Sequence, residues 1–147
     1  MIPEHFEKLP GSPGCVICDN NGTNPRSLAL HIYWNPEEQT VHIPCTPDET
    51  WCGYARIVHG GLIASVLDEA MAWVVKQVCG DWAFTADYHI RYKAALMPGE
   101  DYPAGARVSE RNRRTNALPP RLLGHARGVA AQASATVLTA NGRAHLG

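Results

Sequence analysis

The sequence predicts an α+β domain in which one long helix is wrapped by an antiparallel sheet of roughly five to six strands. Three observations carry this expectation. Residues 60–79 hold no proline and repeat apolar side chains at helical spacing. Several other segments alternate apolar and polar residues with the period of a strand. The 147 residues, 45% apolar and 18% charged, are enough for one core and too apolar for disorder.

In chain order, residues 1–26 hold four of the eleven prolines and three glycines, and read as an N-terminal arm with loops. Residues 27–147 read as a single domain. Over 27–34, Leu28, Leu30 and Ile32 alternate with Ala29, His31 and Tyr33, which predicts a strand. Asn35-Pro36-Glu37-Glu38 supplies a turn and Thr40-Val41-His42-Ile43 a returning strand, so a hairpin is expected. Residues 44–58, rich in Pro, Thr and Asp, form a loop running into Gly60-Gly61.

The helix is the best-defined element. Leu62, Ile63, Val66, Leu67, Ala70, Met71, Val74, Val75 and Val78 cover a continuous arc of roughly 220° at 100° per residue. An arc that wide belongs to a helix largely enclosed by protein, and Gly80 stops it. Ser65, Asp68, Glu69, Ala72 and Lys76 fill the remaining arc. Strands are expected over 82–94, over 104–111 paired with it, and over 128–139. Asn141-Gly142 is a hairpin turn before a short last strand, and the Arg- and Pro-rich stretch 112–123 is an excursion between strands.

Charge and cysteine usage exclude several function classes. A net charge of −1 argues against a dedicated nucleic-acid binder. No apolar run is long enough for a membrane helix, and the acidic, Pro-containing start is unlike a targeting peptide, so a cytoplasmic protein is expected. The near-zero total hides a gradient. Residues 1–50 carry two basic and seven acidic side chains, whereas 91–147 carry nine basic, all but one of them arginine, and three acidic. A basic end suits an anionic ligand such as a phosphate, or equally a solvated face or subunit contact. The five cysteines make an odd count without secretory context and are expected as free thiols. Cys15 and Cys18 have the spacing of half a zinc knuckle that Cys45 and Cys52 could complete. Six residues separate the second pair and no basic finger-like region follows, so no metal is expected.

The chemistry-bearing residues cluster around the helix. His59-Gly60-Gly61 lies at its start, where glycines let a ligand approach N–H groups that lack intrahelical partners. These donors, at the positive helix end, suit a polarised carbonyl or an oxyanion; tight loop-to-helix packing would also explain the glycines. Asp68 borders the apolar arc beside Val75, where a partly desolvated carboxylate can serve as a base, a nucleophile or a structural hydrogen-bond acceptor. Glu69 points to the middle of the polar arc and is expected to be solvated or salt-bridged. Eight residues of helix put Gly60 and Asp68 about 12 Å apart, too far for one carbonyl to touch both. If both serve one reaction, they come from two subunits across a two-fold interface.

Residues 53–71, Gly-Tyr-Ala-Arg-Ile-Val-His-Gly-Gly-Leu-Ile-Ala-Ser-Val-Leu-Asp-Glu-Ala-Met, resemble the signature segment of hotdog-fold thioesterases of the PaaI-like acyl-CoA group. Cys15-x-x-Cys18 with Asn24-Pro25-x-x-Leu28, and Thr85-Ala86-Asp87-Tyr88-His89-Ile90-Arg91-Tyr92, are similar to further family patterns. The resemblance spans about residues 15–140. It implies a hotdog fold, a homodimer that can pair into a homotetramer, and hydrolysis of an acyl-CoA to a carboxylic acid and CoA. By position it implies Asp68 as nucleophile or general base, the Gly60 N–H as oxyanion hole, and His59 and Gly61 shaping the loop. Thr85 falls where the family often has Ser or Thr near the attacking water. The C-terminal arginines would suit the phosphates of coenzyme A, which enters as part of the substrate, with no separate cofactor and no nucleic-acid or membrane partner. The chain departs from the pattern at Cys52, where relatives often carry Gln or Asn, at 93–96, which lack a common proline, and in the long Arg-rich stretch 111–121. The alternatives are a non-catalytic acyl-CoA-binding or scaffold module of the same fold, further off a dehydratase or hydratase, and most remotely a zinc-binding interaction module.

Overall fold

Helix α1 forms over Gly60–Cys79, the span that the apolar spacing predicts. Its inner face buries Leu67, Ala70, Met71 and Val74 completely, with Trp73 almost so. Gly80 ends it in the left-handed conformation at φ 81°, and its N–H closes on the Lys76 carbonyl at 2.9 Å. The computed structural model describes residues 2–107, 121–124, 128–139 and 145–146.

Around α1 runs one antiparallel sheet of β1 (Glu7–Lys8), β2 (Tyr33–Asn35), β3 (Thr40–Ile43), β4 (Ala83–Tyr92), β5 (Ala104–Arg107), β6 (Arg121–Gly124), β7 (Gly128–Thr139) and β8 (His145–Leu146). The spatial order is β1-β2-β3-β5-β6-β7-β4, with β8 also on β7. β1 and β8 are two-residue strands, so β2 to β7 make up the expected sheet. α1 packs on β3, β4, β5 and β7. The inward residues of β5 and β7 are mostly alanine (104, 106, 131, 133 and 135), and their small side chains let the bulky face of α1 sit close.

The predicted hairpin is present as β2 and β3, and the long strand over 128–139 as β7. Three expectations are corrected. Residues 27–32 are not a strand. Leu28 and Leu30 donate to the carbonyls of Val16 and Ile17 at 2.8 and 2.9 Å, and Ala29 has φ 54°, so this segment is tied to the arm rather than to a sheet neighbour. β5 does not pair with β4: it lies between β3 and β6, while β4 pairs along its length with β7. Residues 121–123, expected in the excursion, begin β6. The expected turn at 141–142 and residues 108–120 lie outside the described residues.

The β4–β7 ladder is interrupted once. Thr85 pairs with Val137 and Asp87 with Thr136, which leaves Ala86 as an extra residue. Such a bulge inverts the inside-outside alternation of the strand on one side of it. Accordingly Tyr88 and Ile90 turn inward after the bulge, Thr85 and Ala83 turn inward before it, and the adjacent Ala86 and Asp87 both face out.

Candidate active site

The start of α1 is organised by His59. Its backbone is extended (φ −62°, ψ 127°), and its ring Nδ1 accepts the Gly61 N–H at 2.9 Å, so the neutral ring carries its proton on Nε2. The His59 carbonyl accepts from Leu62 and Ile63 at 3.0 and 3.3 Å. A Cβ on Gly61 would come within 3.0 Å of Nδ1, so a side chain there would displace the capping ring by a few tenths of an ångström. The Gly60 N–H has no acceptor among the described residues and stands at the positive end of the helix dipole. The Tyr92 hydroxyl donates to the Gly60 carbonyl at 2.6 Å and fixes the helix start to β4. The approach to His59 is held by its own N–H on the Trp51 carbonyl at 2.8 Å and by a bridge between Cys52 and Val58.

Two turns along α1, Asp68 is half-buried and its Oδ1 accepts from the Thr85 hydroxyl at 2.5 Å. The bulge at Ala86 is what aims Thr85 inward. Asp68 opens on a hollow of about 260 Å³ lined with Ala64, Ser65, Thr85 and Tyr88. The Tyr88 hydroxyl donates to the Ala64 carbonyl at 2.9 Å. Burial, and then the nearby Asp68 charge, push its pKa up, so it remains a proton-bearing donor.

The expected residues therefore form two groups, His59 with Gly60 and Gly61, and Asp68 with Thr85. The unbroken helix between Gly60 and Asp68 keeps them about 12 Å apart. Of the arginines, Arg91 lies with His89, Gln132 and Ser134 on a hollow of about 190 Å³, and Arg107 is exposed on β5. Arg111, Arg113, Arg114, Arg127 and Arg143 lie outside the described residues.

Glu69 is half-buried rather than fully solvated, and it makes no salt bridge among the described residues. Its Oε1 accepts from the Cys15 thiol at 3.4 Å and from the Trp73 indole at 3.1 Å, because the N-terminal arm covers this side of α1. Cys45 and Cys52 are not part of that cluster. Tyr88, Tyr92 and Trp73 also went unread in the sequence. Two signals were available: Tyr88 and Tyr92 stand four apart on one strand, and Trp73 stands four after Glu69 on a helix.

The thioesterase superfamily model matches residues 55–116, which contain the helix start, α1, β4 and β5. No curated protein sequence matches the chain. Among solved structures, it is similar to the phenylacetic acid degradation-related protein of Ralstonia eutropha JMP134 (19% identity, TM-score 0.65, covering 75% of this chain and 84% of that one). A Streptococcus mutans UA159 protein bound to acetyl CoA is 17% identical at a TM-score of 0.63, over 98% of this chain and 95% of that one. A hypothetical thioesterase protein of Streptococcus pneumoniae TIGR4, solved with coenzyme A, is 17% identical at 0.64, over 71% and 84%. The shared architecture is the hotdog fold, as the resemblance of residues 53–71 implies. Among the described residues, no helix is long and apolar enough to cross a membrane.

Proposed function

We propose that the protein is an acyl-CoA thioesterase acting as a homodimer, with each active site built from the helix start of one subunit and the Asp68 of the other. The observation that carries this reading is an acceptor-free Gly60 N–H at one end of a helix segment and a Thr85-held carboxylate, open to a hollow, at the other. The thioester carbonyl oxygen accepts the Gly60 N–H, which stabilises negative charge as the carbonyl carbon becomes tetrahedral. Asp68 of the other subunit either attacks that carbon, giving an anhydride that water then cleaves, or takes a proton from a water that attacks it. On both routes the C–S bond breaks, the CoA thiolate leaves, and a carboxylic acid remains. A thiolate is a good enough leaving group that one carboxylate and one oxyanion donor suffice. Acetyl CoA and coenzyme A in two structures of this fold support an acyl-CoA ligand, and the Arg-rich C-terminal part suits its phosphates. No cofactor is required beyond the CoA of the substrate, and the thiols of Cys15, Cys18, Cys45 and Cys52, outside any disulfide, fit a reducing cytoplasm.

The test uses steady-state CoA release from a panel of short, medium and aromatic acyl-CoAs. Gly60→Pro removes the N–H at a position where proline is tolerated, since Gly60 is the first helical residue and His59 is already extended. Gly60→Ala adds a similar Cβ, 3.4 Å from the Tyr92 ring, but keeps the donor. The proline variant should lose about 10²- to 10³-fold in kcat, while the alanine variant loses far less. Asp68→Asn should lose about 10²- to 10⁴-fold. Equal activity of the proline and alanine variants would remove the oxyanion role. Acyl-CoA binding without turnover by the wild type would leave a non-catalytic binding module.

A further inference from the structure

We propose that Cys15, Cys18 and Glu69 form a binding site for a thiophilic divalent cation, zinc by its chemistry, which fastens the N-terminal arm to α1. The three donor atoms, two thiol sulfurs and a carboxylate oxygen, all lie within 4.8 Å of one another. Zinc bonds of about 2.3 Å to sulfur and about 2.1 Å to oxygen place tetrahedral ligands a little under 4 Å apart. Small side-chain rotations of the half-buried Cys15 and Glu69 close that difference, while Cys18 is fully buried and fixed.

The arm is shaped for thiolates. The N–H groups of Ile17 and Cys18 both point at the Cys15 sulfur at 3.4 Å, and the Ser12 N–H points at the Cys18 sulfur at 3.2 Å. Backbone donors aimed at sulfur favour the anion that a metal requires. The turn is tight enough to exclude side chains: a Cβ on Gly11, at φ 72°, would lie 2.4 Å from the Cys18 carbonyl oxygen. On the helix side, the Trp73 indole N–H holds the Glu69 carboxylate in place. Two thiolates and one carboxylate around a divalent cation carry a net charge of −1, and both thiol protons leave to solvent on binding. Two sulfurs select a soft cation over magnesium or calcium, and the partial exposure of Cys15 and Glu69 leaves the fourth position to water.

The test is a titration of cobalt(II) into the metal-free, reduced full-length chain, followed by competition with zinc. About one equivalent should bind, with the visible bands of a tetrahedral ion and thiolate-to-metal charge transfer, and zinc should bleach both. Affinity should fall as pH is lowered, because protons compete for the sulfurs. Cys15→Ser and Cys18→Ser should abolish the spectrum, Glu69→Gln should weaken binding by more than about tenfold, and Cys79→Ser should leave it unchanged. Absence of a thiolate–cobalt spectrum in the wild type overturns the site whether or not the serine variants fold. So does a spectrum that survives both serine substitutions. An intact mass showing a Cys15–Cys18 disulfide, with no cobalt bound after its reduction, overturns it as well. None of these readouts depends on thioester hydrolysis.

Discussion

At Asp68 one hydroxyl holds the carboxylate. Thr85 donates to Oδ1, and the proposed reaction uses Oδ2 on the water or the carbonyl carbon. Thr85→Ser keeps that donor and should hold kcat within a few-fold, whereas Thr85→Val, equal in shape but without the hydroxyl, should lower kcat by about 10- to 100-fold. A loss of equal size in both variants would mean that packing, not the hydrogen bond, is what Thr85 supplies. His42 makes a separate prediction about stability. Burial lowers its pKa from 6.5, with Glu38 opposing. The unfolded chain therefore binds more protons at this residue as pH drops through 6.5, and the folded state loses stability there. Thermal melts between about pH 7 and pH 5 should show this loss, and His42→Gln should flatten it. The placement of His59, Gly60, Gly61 and Asp68 was legible in the sequence because it follows from spacing along one helix. Tyr92 and Glu69 were not, because their partners Gly60 and Cys15 stand 32 and 54 residues away.

Among the elements, α1 was readable to the residue because everything that defines it is local: an apolar period, no proline, and a glycine able to take φ 81°. The alternation over 27–32 was as regular, but a period of two reports only an extended chain with one buried side. It does not say whether the backbone donors go to a strand or, as here, to the carbonyls of the arm. The bulge in β4 was invisible for a similar reason. Ala86 has no special chemistry, and the defect exists only relative to β7. Its role can be tested by deleting Ala86, which restores a regular ladder and, with Asp87 now directly after Thr85, leaves Thr85 and Ala83 on the inner face. The deletion should keep the strand signal in circular dichroism and hold activity well above that of Thr85→Val. A folded deletion variant as weak as Thr85→Val would mean that the bulge does more than set the phase of Thr85.

For the whole molecule, strand order was the least readable feature, since β5 joins β3 across more than sixty residues of chain. It leaves the ten-residue β4 at the end of the sheet order, with Phe84 61% exposed and Tyr92 46%. A long open edge of this kind is suited to a second copy of the chain. Mixing Gly60→Pro and Asp68→Asn subunits tests the shared site directly. In a mixed dimer one site carries both lesions and the other carries neither, so random pairing should restore about one quarter of wild-type activity. If no activity returns while mixed dimers are present, the two groups do not serve one reaction.

Asp68 and Glu69 are consecutive on a stiff rod, so their side chains leave it about 100° apart. One meets Thr85 of β4 and the other meets Cys15 of the arm, which keys the rod against rotation on two sides. Its angular setting cannot drift without unseating one key. Ala64 and Ser65 line the same hollow and are bound by neither key. Under the proposed hydrolysis, selection for a different acyl chain, in nature or in the laboratory, should therefore collect its changes at these two positions.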